Sequence, residues 1–524
     1  MIKIKNLKKQ INGFTLFTIN DLTIDPSKKT ALIGRNGSGK STFLDILSKK
    51  ENNNSVFHNI KIEKVDFTDT SSIKNRILSQ NGKNADDNLS PGEMYKMILE
   101  SYIDDENTYL LIDEPTSHLD FKNKEEIIKL LNTRKYGYLI VSHDRDFIER
   151  TCENIIEIDQ KKFEFYKGSY DFYRDEKTKK YQRKIKEYDS YKKEVKRLNK
   201  VVEGLKKRKD NIRTTPKRMG NSEARLHKMG GQENKKKVDN QIKSVKSRID
   251  KLEVKEKPFE NKEIALKIPK RYKIHAKYLV EARKLNKSFR KNIIFKNANF
   301  IIKNHSKTAL IGENASGKTT LINMIIKKEN VYVNDNIKIG YFSQLNEILD
   351  YKKSILENVK KDSIYDETLI RILIANLGIR KNDVDKKVSI LSDGEKNKVK
   401  LAKILTGKFN LLILDEPTNF LDINTIEALE QMLRNYDGNV LFISHDKRFI
   451  RKIADHLLFI GDRKINSFEG SLDDYENRNN FSEDKMLLDY KIAKINSLLS
   501  SDISKDERER LEKQFQRLIK LKGK

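Results

Sequence analysis

The chain has 524 residues and a formal net charge of +30 at pH 7, from 107 lysines and arginines against 77 aspartates and glutamates. Its length leaves room for two or three domains, and no apolar run approaches the roughly 18 residues of a membrane span. The single Cys152 excludes an intramolecular disulfide, and the first residues carry no signal-peptide pattern. We therefore expect a cytoplasmic protein with polyanionic partners.

Residues 1–170 open with strand-like segments and reach GRNGSGKST at 34–42, which runs directly into a helix-like stretch. In such a loop the glycines let backbone N–H groups wrap phosphate oxygens, and the start of the following helix adds its dipole. Lys40 is expected to neutralise the β- and γ-phosphates of a nucleotide, and Ser41 to ligate Mg²⁺. The predicted nucleotide contacts are Gly34, Asn36, Gly37, Gly39, Lys40, Ser41 and Thr42.

Three further motifs follow: LSPGE at 89–93, LLIDEPTSHLD at 110–120 and SHD at 142–144. The apolar run before Asp113 is typical of a buried parallel strand that delivers an acidic pair at its carboxyl end. We expect Asp113 to hold the metal, Glu114 to orient and polarise the attacking water, and His143 to contact the γ-phosphate.

Residues 171–275 are strongly basic. Within them, 171–260 hold 30 lysines and arginines against 15 aspartates and glutamates, which is half of the net charge. Apolar residues three or four apart predict two antiparallel helices, from Asp175 to about Lys209 and from about Lys235 to Val254. Prolines and glycines between them predict a tip loop at about 211–234. A solvated charged linker without a partner is the alternative interpretation.

Residues 276–480 repeat the motifs as GENASGKTT at 312–320, LSDGE at 391–395, LLILDEPTNFLD at 411–422 and SHD at 444–446. The phosphate loops are 278 residues apart and the later motifs 302, so the second copy is 24 residues longer between them. The corresponding candidates are Gly312, Asn314, Gly317, Lys318, Thr319 and Thr320 for phosphates, Thr319 and Asp415 for the metal, and Glu416 and His445 for catalysis. A charged, helix-prone extension occupies 481–524.

The LSPGE and LSDGE motifs resemble the signature of ATP-binding cassette proteins, in which this motif opens a helix and completes the other cassette's site. The resemblance implies an ATP hydrolase of the α/β class, with two cassette domains in tandem joined by an α-helical hairpin linker. It also implies two composite sites that use ATP and Mg²⁺. The signature residues so implied are Ser90, Gly92 and Glu93 for the Lys318 site, and Ser392, Gly394 and Glu395 for the Lys40 site.

By the same resemblance the two sites differ. The second copy has Gln344 where the family's Mg²⁺-sensing glutamine stands, whereas the first copy has VDFTDT at 65–70 without a glutamine. Hydrolysis at the Lys40 site is therefore left open. Phe289 is expected to stack on the adenine of the second site. The aligned residue of the first is about Ile11, so stacking there is weaker or uses another residue.

Two cassettes, no membrane segment and a basic linker resemble the ABC-F family of ribosome-associated ATPases, whose linker enters the tRNA exit site. The sequence PKRMGNSEARLHK at 216–228 is similar to the linker of the family's antibiotic-resistance members, which dislodge lincosamides, streptogramin A and pleuromutilins. The first cassette also lacks room for the arm that housekeeping members insert. The resemblance implies a monomer that binds the ribosome, through large-subunit rRNA and P-site tRNA. The implied tip contacts are Arg213, Lys217, Arg218, Met219, Arg225, Leu226 and Lys228.

Three other functions are alternatives to ribosome protection. A housekeeping translation factor of the same family would bind ribosomes without drug specificity. The motor half of a transporter would need a membrane-domain partner and has no obvious use for a basic segment of this length. A DNA-repair ATPase would suit the charge, but such enzymes usually carry zinc-binding cysteines or very long coiled coils, and neither is present in this sequence.

Overall fold

The computed structural model describes residues 1–11, 13–48, 55–65, 67, 91–103, 107–117, 119–212, 221–257, 266–269, 273–290, 292–343, 347–419 and 421–478. Of the predicted functional positions, those outside these ranges are Ser90, Arg213, Lys217, Arg218, Met219, Gln344 and the extension 481–524. The backbone alone is described for Gly92, Arg225, Leu226 and Lys228. None of the helices in the described ranges is long and apolar enough to span a membrane.

The first cassette is built on one sheet of nine strands, in the order β4-β1-β2-β9-β8-β3-β7-β6-β5. Its strands are β1 (Ile2–Ile11), β2 (Phe14–Ile24), β3 (Lys29–Gly34), β4 (Val56–Phe57), β5 (Lys61–Val65), β6 (Thr108–Asp113), β7 (Tyr138–Val141), β8 (Asn154–Asp159) and β9 (Lys162–Lys167). Its described helices are α1 (Lys40–Leu47), α2 (Pro91–Ile103), α3 (Phe121–Thr133) and α4 (Arg145–Thr151). The strands β8, β3, β7, β6 and β5 are mutually parallel, and β6 and β7 are almost continuously buried, as parallel strands covered on both faces require.

Residues 171–260 form a compact unit of their own, made of two long helices, α5 (Tyr170–Asn211) and α6 (Asn221–Asp250). Val202, Val238 and Ile242 form the small buried seam between them. The predicted tip loop at about 211–234 is wrong in extent, because α6 begins at Asn221 and runs through both glycines of the MGG sequence. An interior glycine costs a helix about 1 kcal/mol, which a helix of 30 residues tolerates.

The second cassette has a three-stranded sheet, β11-β10-β13, and a six-stranded sheet, β14-β15-β16-β12-β17-β18. Its strands are β10 (Tyr278–Phe289), β11 (Asn292–Lys303), β12 (Lys307–Gly312), β13 (Tyr332–Val333), β14 (Ile339–Phe342), β15 (Leu411–Asp415), β16 (Asn439–Ile443), β17 (His456–Gly461) and β18 (Lys464–Glu469). Its described α-helices are α7 (Lys318–Lys327), α8 (Ile355–Lys360), α9 (Glu367–Asn376), α10 (Asp393–Thr406), α11 (Ile423–Arg434) and α12 (Lys447–Ile453). The predicted α/β class is confirmed, and β3 and β12 even share the sequence KTALIG and its burial pattern.

The core of the second cassette lies on both faces of its parallel sheet. Alternate residues of β15 serve opposite faces, with Leu411 and Ile413 in one cluster and Leu412 and Leu414 in the other. The core also includes the chain segment 266–269, whose Leu266 and Ile268 are buried, although the sequence division placed that segment in the linker. The first residues of this cassette's core therefore precede position 276.

A buried lysine of the first cassette joins the loops that carry the two predicted catalytic histidines. Lys124 on α3 is 4% exposed and forms an ion pair with Asp144. Its Nζ also donates a hydrogen bond of 2.6 Å to the carbonyl oxygen of His445 in the second cassette. Asp144 caps α4 by accepting the N–H of Phe147, so one ammonium holds the start of a helix and the opposite loop together.

A second buried cation from the same cassette completes this contact. Arg145 is 1% exposed, and its Nη2 pairs with Glu430 and, at 3.0 Å, with Asp446, which caps α12. Neither residue repeats as a buried cation: Ile426 stands 302 residues after Lys124, and Lys447, 302 residues after Arg145, is half-buried and pairs with Glu125 of the first cassette at 3.4 Å. Both buried cations of this contact thus come from the first cassette.

We expect Lys124→Met to destabilise the protein by about 3–5 kcal/mol, because it leaves a buried carboxylate and a carbonyl oxygen without their cation. Adding Asp144→Asn should recover part of the loss, since asparagine still caps a helix and carries no charge. Urea unfolding followed by circular dichroism measures both effects. Lys129→Met, at an exposed position of α3, is the control, and equal midpoints for the two lysine variants would contradict this role.

Candidate active sites

Each phosphate loop closes around its own lysine. Lys40 Nζ donates to the carbonyl oxygen of Gly34 at 3.0 Å, and Lys318 Nζ donates to that of Gly312 at 2.8 Å. Burial lowers the pKa of both lysines, and the neighbouring carboxylates oppose that shift. The loops thus hold a buried ammonium at the point where a helix begins, which is the arrangement that binds phosphate.

The last glycine of each loop is required by geometry. Gly39 and Gly317 precede their helices with φ of 96° and 104°, in the left-handed region. A Cβ on Gly39 would lie 2.6 Å from Leu16 Cδ2, and one on Gly317 would lie 2.5 Å from Ile294 Cγ2. The loop therefore approaches the underlying strand more closely than any side chain allows.

Each loop also carries a serine that the motif analysis missed. The hydroxyls of Ser38 and Ser316 are buried and have no hydrogen-bond partner within the described residues. A buried hydroxyl without a partner costs free energy, so its position next to the phosphate-binding backbone favours a phosphate oxygen as its acceptor. The occurrence of SGK in both copies is the sequence signal that would have found these residues.

The predicted metal ligands of the second site lie together. Asp415 ends β15, and its carboxylate forms hydrogen bonds with the hydroxyls of Thr319 and Tyr341. Burial raises the pKa of Asp415, and Lys318 opposes that shift. A hydroxyl and a carboxylate beside a phosphate loop are the protein ligands that Mg²⁺ uses together with nucleotide phosphates and waters, so these residues fit Mg²⁺. When bound, Mg²⁺ supplies positive charge against the β- and γ-phosphates.

The two predicted catalytic glutamates follow their strands in a left-handed backbone conformation. Glu114 has a φ of 47° and Glu416 a φ of 50°. Their N–H groups donate to the carbonyl oxygens of Val141 at 2.9 Å and Ile443 at 3.1 Å on the neighbouring strands. Such a conformation costs a non-glycine residue roughly 1–2 kcal/mol, and it persists where surrounding structure fixes it, often at functional sites.

A histidine lies beside each of these glutamates. His143 Nε2 is 3.5 Å from Glu114 Oε1, and His445 Nε2 is 3.3 Å from Glu416 Oε1. Burial raises the pKa of Glu114 to about 8 and that of Glu416 to about 7, while burial and the charge of Lys40 lower the pKa of His143 to about 3. A carboxyl group that titrates near neutral pH beside a neutral imidazole is suited to accept a proton from water.

The aspartate that ends each LLIDEPTSHLD-type motif lies near the opposite cassette's site. Asp120 Oδ2 accepts a hydrogen bond of 3.0 Å from the backbone N–H of Asn314 in the second phosphate loop. Asp422 acts electrostatically on Lys40 in the first. Burial acts to raise the pKa of Asp422, but the ammonium of Lys398 at 3.2 Å and hydrogen bonds from Thr425 outweigh it. The pKa of Asp422 is therefore below its ordinary value. Sequence reasoning quoted these motifs without assigning either aspartate a role.

The second signature motif forms a helix start. Ser392 caps α10 because its hydroxyl oxygen accepts the N–H of Glu395 at 3.4 Å, and the Glu395 carboxylate accepts the N–H of Ser392 at 3.0 Å. This reciprocal pair is a capping box, in which glutamate and glutamine are equally suitable, so Glu395 can stand where the family usually has glutamine. In the first cassette Glu93 lies in the first turn of α2. The contacts of these residues with nucleotide in the opposite site stay predictions.

An exposed aromatic side chain of the first cassette lies on the strand opposite the aligned position. Phe289 ends β10 and is 54% exposed, and its aligned residue Ile11 ends β1. Phe14 pairs directly with Ile11 on the adjacent strand β2 and is 80% exposed. Directly opposed residues of antiparallel strands share a face of the sheet, so Phe14 presents an aromatic ring where the first cassette lacks one at position 11.

We expect Glu416→Gln to stabilise the nucleotide-free protein at high pH only. The folded-state pKa of about 7 exceeds the ordinary value of 4.5, so protonation favours folding at low pH and that benefit is lost as the pH rises through 7. The thermal unfolding midpoints of the two proteins should agree near pH 4.5. At pH 8.5 the variant should gain about 3 kcal/mol, because each unit of pKa difference corresponds to about 1.4 kcal/mol. Glu253→Gln, at an exposed carboxylate, is the control, and a pH-independent gain in Glu416→Gln would contradict the shift.

We expect Phe14→Ala to weaken nucleotide binding at one of two sites by about fivefold to 150-fold, because stacking on a base is worth about 1–3 kcal/mol. Isothermal titration with a non-hydrolysable ATP analogue measures both sites of the full chain. Phe289→Ala should weaken the other site, and Phe14→Ala/Phe289→Ala should weaken both. If Ile11→Ala has the larger effect at the first site, Phe14 is not the stacking residue.

Comparisons with known proteins find relatives over most of the chain. The profile of the ABC transporter family matches residues 18–80 and 295–419. The erythromycin resistance ATP-binding protein MsrA of Staphylococcus epidermidis is 30% identical over 473 residues, which cover 87% of this chain and 96% of MsrA. The ribosome protection protein VmlR of Bacillus subtilis is 29% identical over 513 residues, 93% of this chain and 91% of VmlR. The energy-dependent translational throttle protein EttA of Haemophilus influenzae is 28% identical over 402 residues, 74% of this chain and 67% of EttA.

A solved structure of an RNase-L inhibitor is similar in fold, with a TM-score of 0.56 at 18% identity, and covers 89% of this chain and 90% of that one. The prediction of an ATP hydrolase with two cassettes is confirmed by the family profile and by these relatives. With two phosphate loops, two acidic pairs and two histidines on the same repeated fold, and with MsrA similar over nearly its whole length, the chain belongs to the ABC-F family of ATP-binding cassette ATPases.

Proposed function

We propose that the protein binds the ribosome in the cytoplasm and protects it by dislodging antibiotics from the peptidyl-transferase centre, with the hairpin entering through the tRNA exit site. The observation that carries this proposal is the exposed charge of the unit Asp171–Glu260. Of the 16 lysines and arginines between 171 and 212, 14 are exposed. Exposed cations along a helix about 60 Å long suit the phosphates of rRNA and tRNA, and such binding weakens with salt.

Most side chains on the described parts of the two hairpin helices are exposed or half-buried. The seam buries three apolar side chains, and α5 and α6 are further joined by an ion pair of 2.7 Å between Lys209 and Asp239. Mixed charge alone would also suit a solvated linker. A seam between two helices of 42 and 30 residues instead makes a defined arm that can present its cations in a fixed pattern.

The resistance branch is supported by two of the relatives. The names of MsrA and VmlR state erythromycin resistance and ribosome protection. Under this proposal the tip residues contact large-subunit rRNA and P-site tRNA, and the protein acts as a monomer off the ribosome. The predicted contacts remain those given above, with Arg213, Lys217, Arg218, Arg225 and Lys228 on phosphates, and Met219 and Leu226 reaching deepest.

A housekeeping role in translation is the second candidate. The similarity to EttA, whose name states a throttle of translation, favours it. This candidate also binds the ribosome and hydrolyses ATP, so those two activities do not separate the alternatives. Drug specificity separates them, because a general factor has no reason to restore growth on one class of antibiotic.

We expect expression in a susceptible host to raise tolerance to lincosamides, streptogramin A and pleuromutilins. Growth inhibition by these drugs, and by a macrolide and an oxazolidinone for comparison, is the measurement. Glu416→Gln should abolish the gain, because the proposed role needs ATP turnover. Unchanged tolerance across the panel, with the protein well expressed and bound to ribosomes, would replace this proposal with the housekeeping role.

A shortened hairpin tip, lacking part of 214–230, provides the second arm of this test. We expect it to lose protection while it keeps the basal ATPase rate, because the cassettes form a separate unit. Loss of both activities would show that the segment supports the fold instead of contacting the drug-bound ribosome.

A further inference from the structure

The two metal sites differ at one strand position. In the first cassette β5 pairs with β6 so that Lys64 lies opposite Leu111. In the second, β14 pairs with β15 so that Tyr341 lies opposite Ile413, which is the counterpart of Leu111 at a spacing of 302 residues. Lys64 and Tyr341 therefore occupy equivalent places beside the aspartates that end β6 and β15.

The side chains at this place make different contacts. Lys64 Nζ lies 2.7 Å from Asp45 Oδ1 and 3.9 Å from Asp113 Oδ2, and its side chain is 18% exposed. In the second cassette the hydroxyl of Tyr341 hydrogen-bonds with Asp415, and Asn323 stands 278 residues after Asp45. A charged pair in the first site is thus replaced by two neutral side chains in the second.

A second difference lies three residues further along the sequence. Gln344, three residues after Tyr341, has as its counterpart Phe67, three residues after Lys64. The ring of Phe67 packs against Tyr95 at a centroid distance of 4.5 Å. A phenyl ring packed on α2 offers no oxygen to a metal. Compared with the second site, the first site therefore has an additional ammonium at Lys64 and lacks a side-chain amide at Phe67.

We propose that Lys64 makes the first site a weak metal site, so that its bound ATP is held with little Mg²⁺ while the second site carries the Mg²⁺-dependent hydrolysis. The ammonium competes with the metal for the Asp113 carboxylate. A divalent ion about 5 Å from an ammonium is repelled enough to lower its affinity about tenfold even at the dielectric constant of water. Asp45 offsets part of this repulsion, and Lys40 adds to it. Lys64 is a positioning residue here, since it acts through Asp113.

This inference rests on the ATPase sites alone and not on the proposed action at the ribosome. The ammonium of Lys64 and the missing glutamine of the first cassette act in the same direction, because both make the site less favourable for a divalent cation. The inference also accounts for the joint replacement of Asp45 by Asn323 and of Lys64 by Tyr341. The first site has two side chains of opposite charge at these positions, and the second has two neutral ones.

Mn²⁺ binding to the full chain, saturated with a non-hydrolysable ATP analogue, tests the proposal by electron paramagnetic resonance. We expect two Mn²⁺ ions per chain, with affinities that differ by up to about tenfold. The variant Asp45→Asn/Lys64→Tyr, which copies the second cassette, should strengthen only the weaker class. The reverse variant Asn323→Asp/Tyr341→Lys should weaken only the stronger class.

Lys61→Tyr is the matched control, because Lys61 is on the same strand with a side chain 60% exposed, and it should leave both affinities unchanged. Analogue binding without metal, measured by equilibrium dialysis, checks that every variant keeps two nucleotide sites. Two equal Mn²⁺ affinities in the wild-type protein would overturn the proposal. So would a weaker class that does not respond to Asp45→Asn/Lys64→Tyr in a variant that still binds two nucleotides.

Discussion

The burial of a lysine, a glutamate and a histidine at the carboxyl edge of a parallel sheet is the constraint on which both sites depend. If these groups were exposed to water, their pKa values would be the ordinary ones. Glu114 would then be no better suited to accept a proton than any surface glutamate. Desolvation raises the pKa of the glutamate and lowers that of the histidine. The sheet maintains this burial because its strands are apolar on both faces, and the left-handed turn at the glutamate is the strained point that it holds in place.

The repeated backbone carries side chains that do not repeat. The two phosphate loops share their first and last glycines and their lysine, and the acidic pairs are identical. Two nearby cations do not repeat, because Ile426 is the counterpart of Lys124 and Tyr341 is the counterpart of Lys64. Two sites within one chain can diverge independently, because a mutation in one half of the gene changes only one cassette. In an assembly of identical subunits, the same mutation changes every copy. The first cassette has accumulated the buried cations of the contact between cassettes as well as the extra cation at its own metal site.

Much of each site was predictable because its residues are local. A loop such as GRNGSGKST fixes its own backbone, and an apolar strand ending in Asp-Glu places its carboxylates by register alone. The bond from Lys124 to the carbonyl of His445 joins residues 321 apart, and no spacing rule anticipates it. Phe14 was missed because a linear alignment compares position 11 with position 289 and ignores the cross-strand partner. The predicted tip loop is too long, because glycine is a weak signal for the end of a helix. The helix from Asn221 continues through Gly230 and Gly231, since most of its other residues favour the helical conformation.

The charge of the hairpin has a consequence for its own stability. The seam formed by Val202, Val238 and Ile242 is a small core among the described residues of this unit. The net charge of +15 on residues 171–260 makes the two helices repel each other. A polyanion that neutralises this charge stabilises the paired helices at the same time as it binds them, because it interacts more strongly with the ordered array of cations than with a separated pair. Binding and ordering of the hairpin are therefore linked, and added salt reduces the repulsion within the hairpin while it weakens the attraction of the partner.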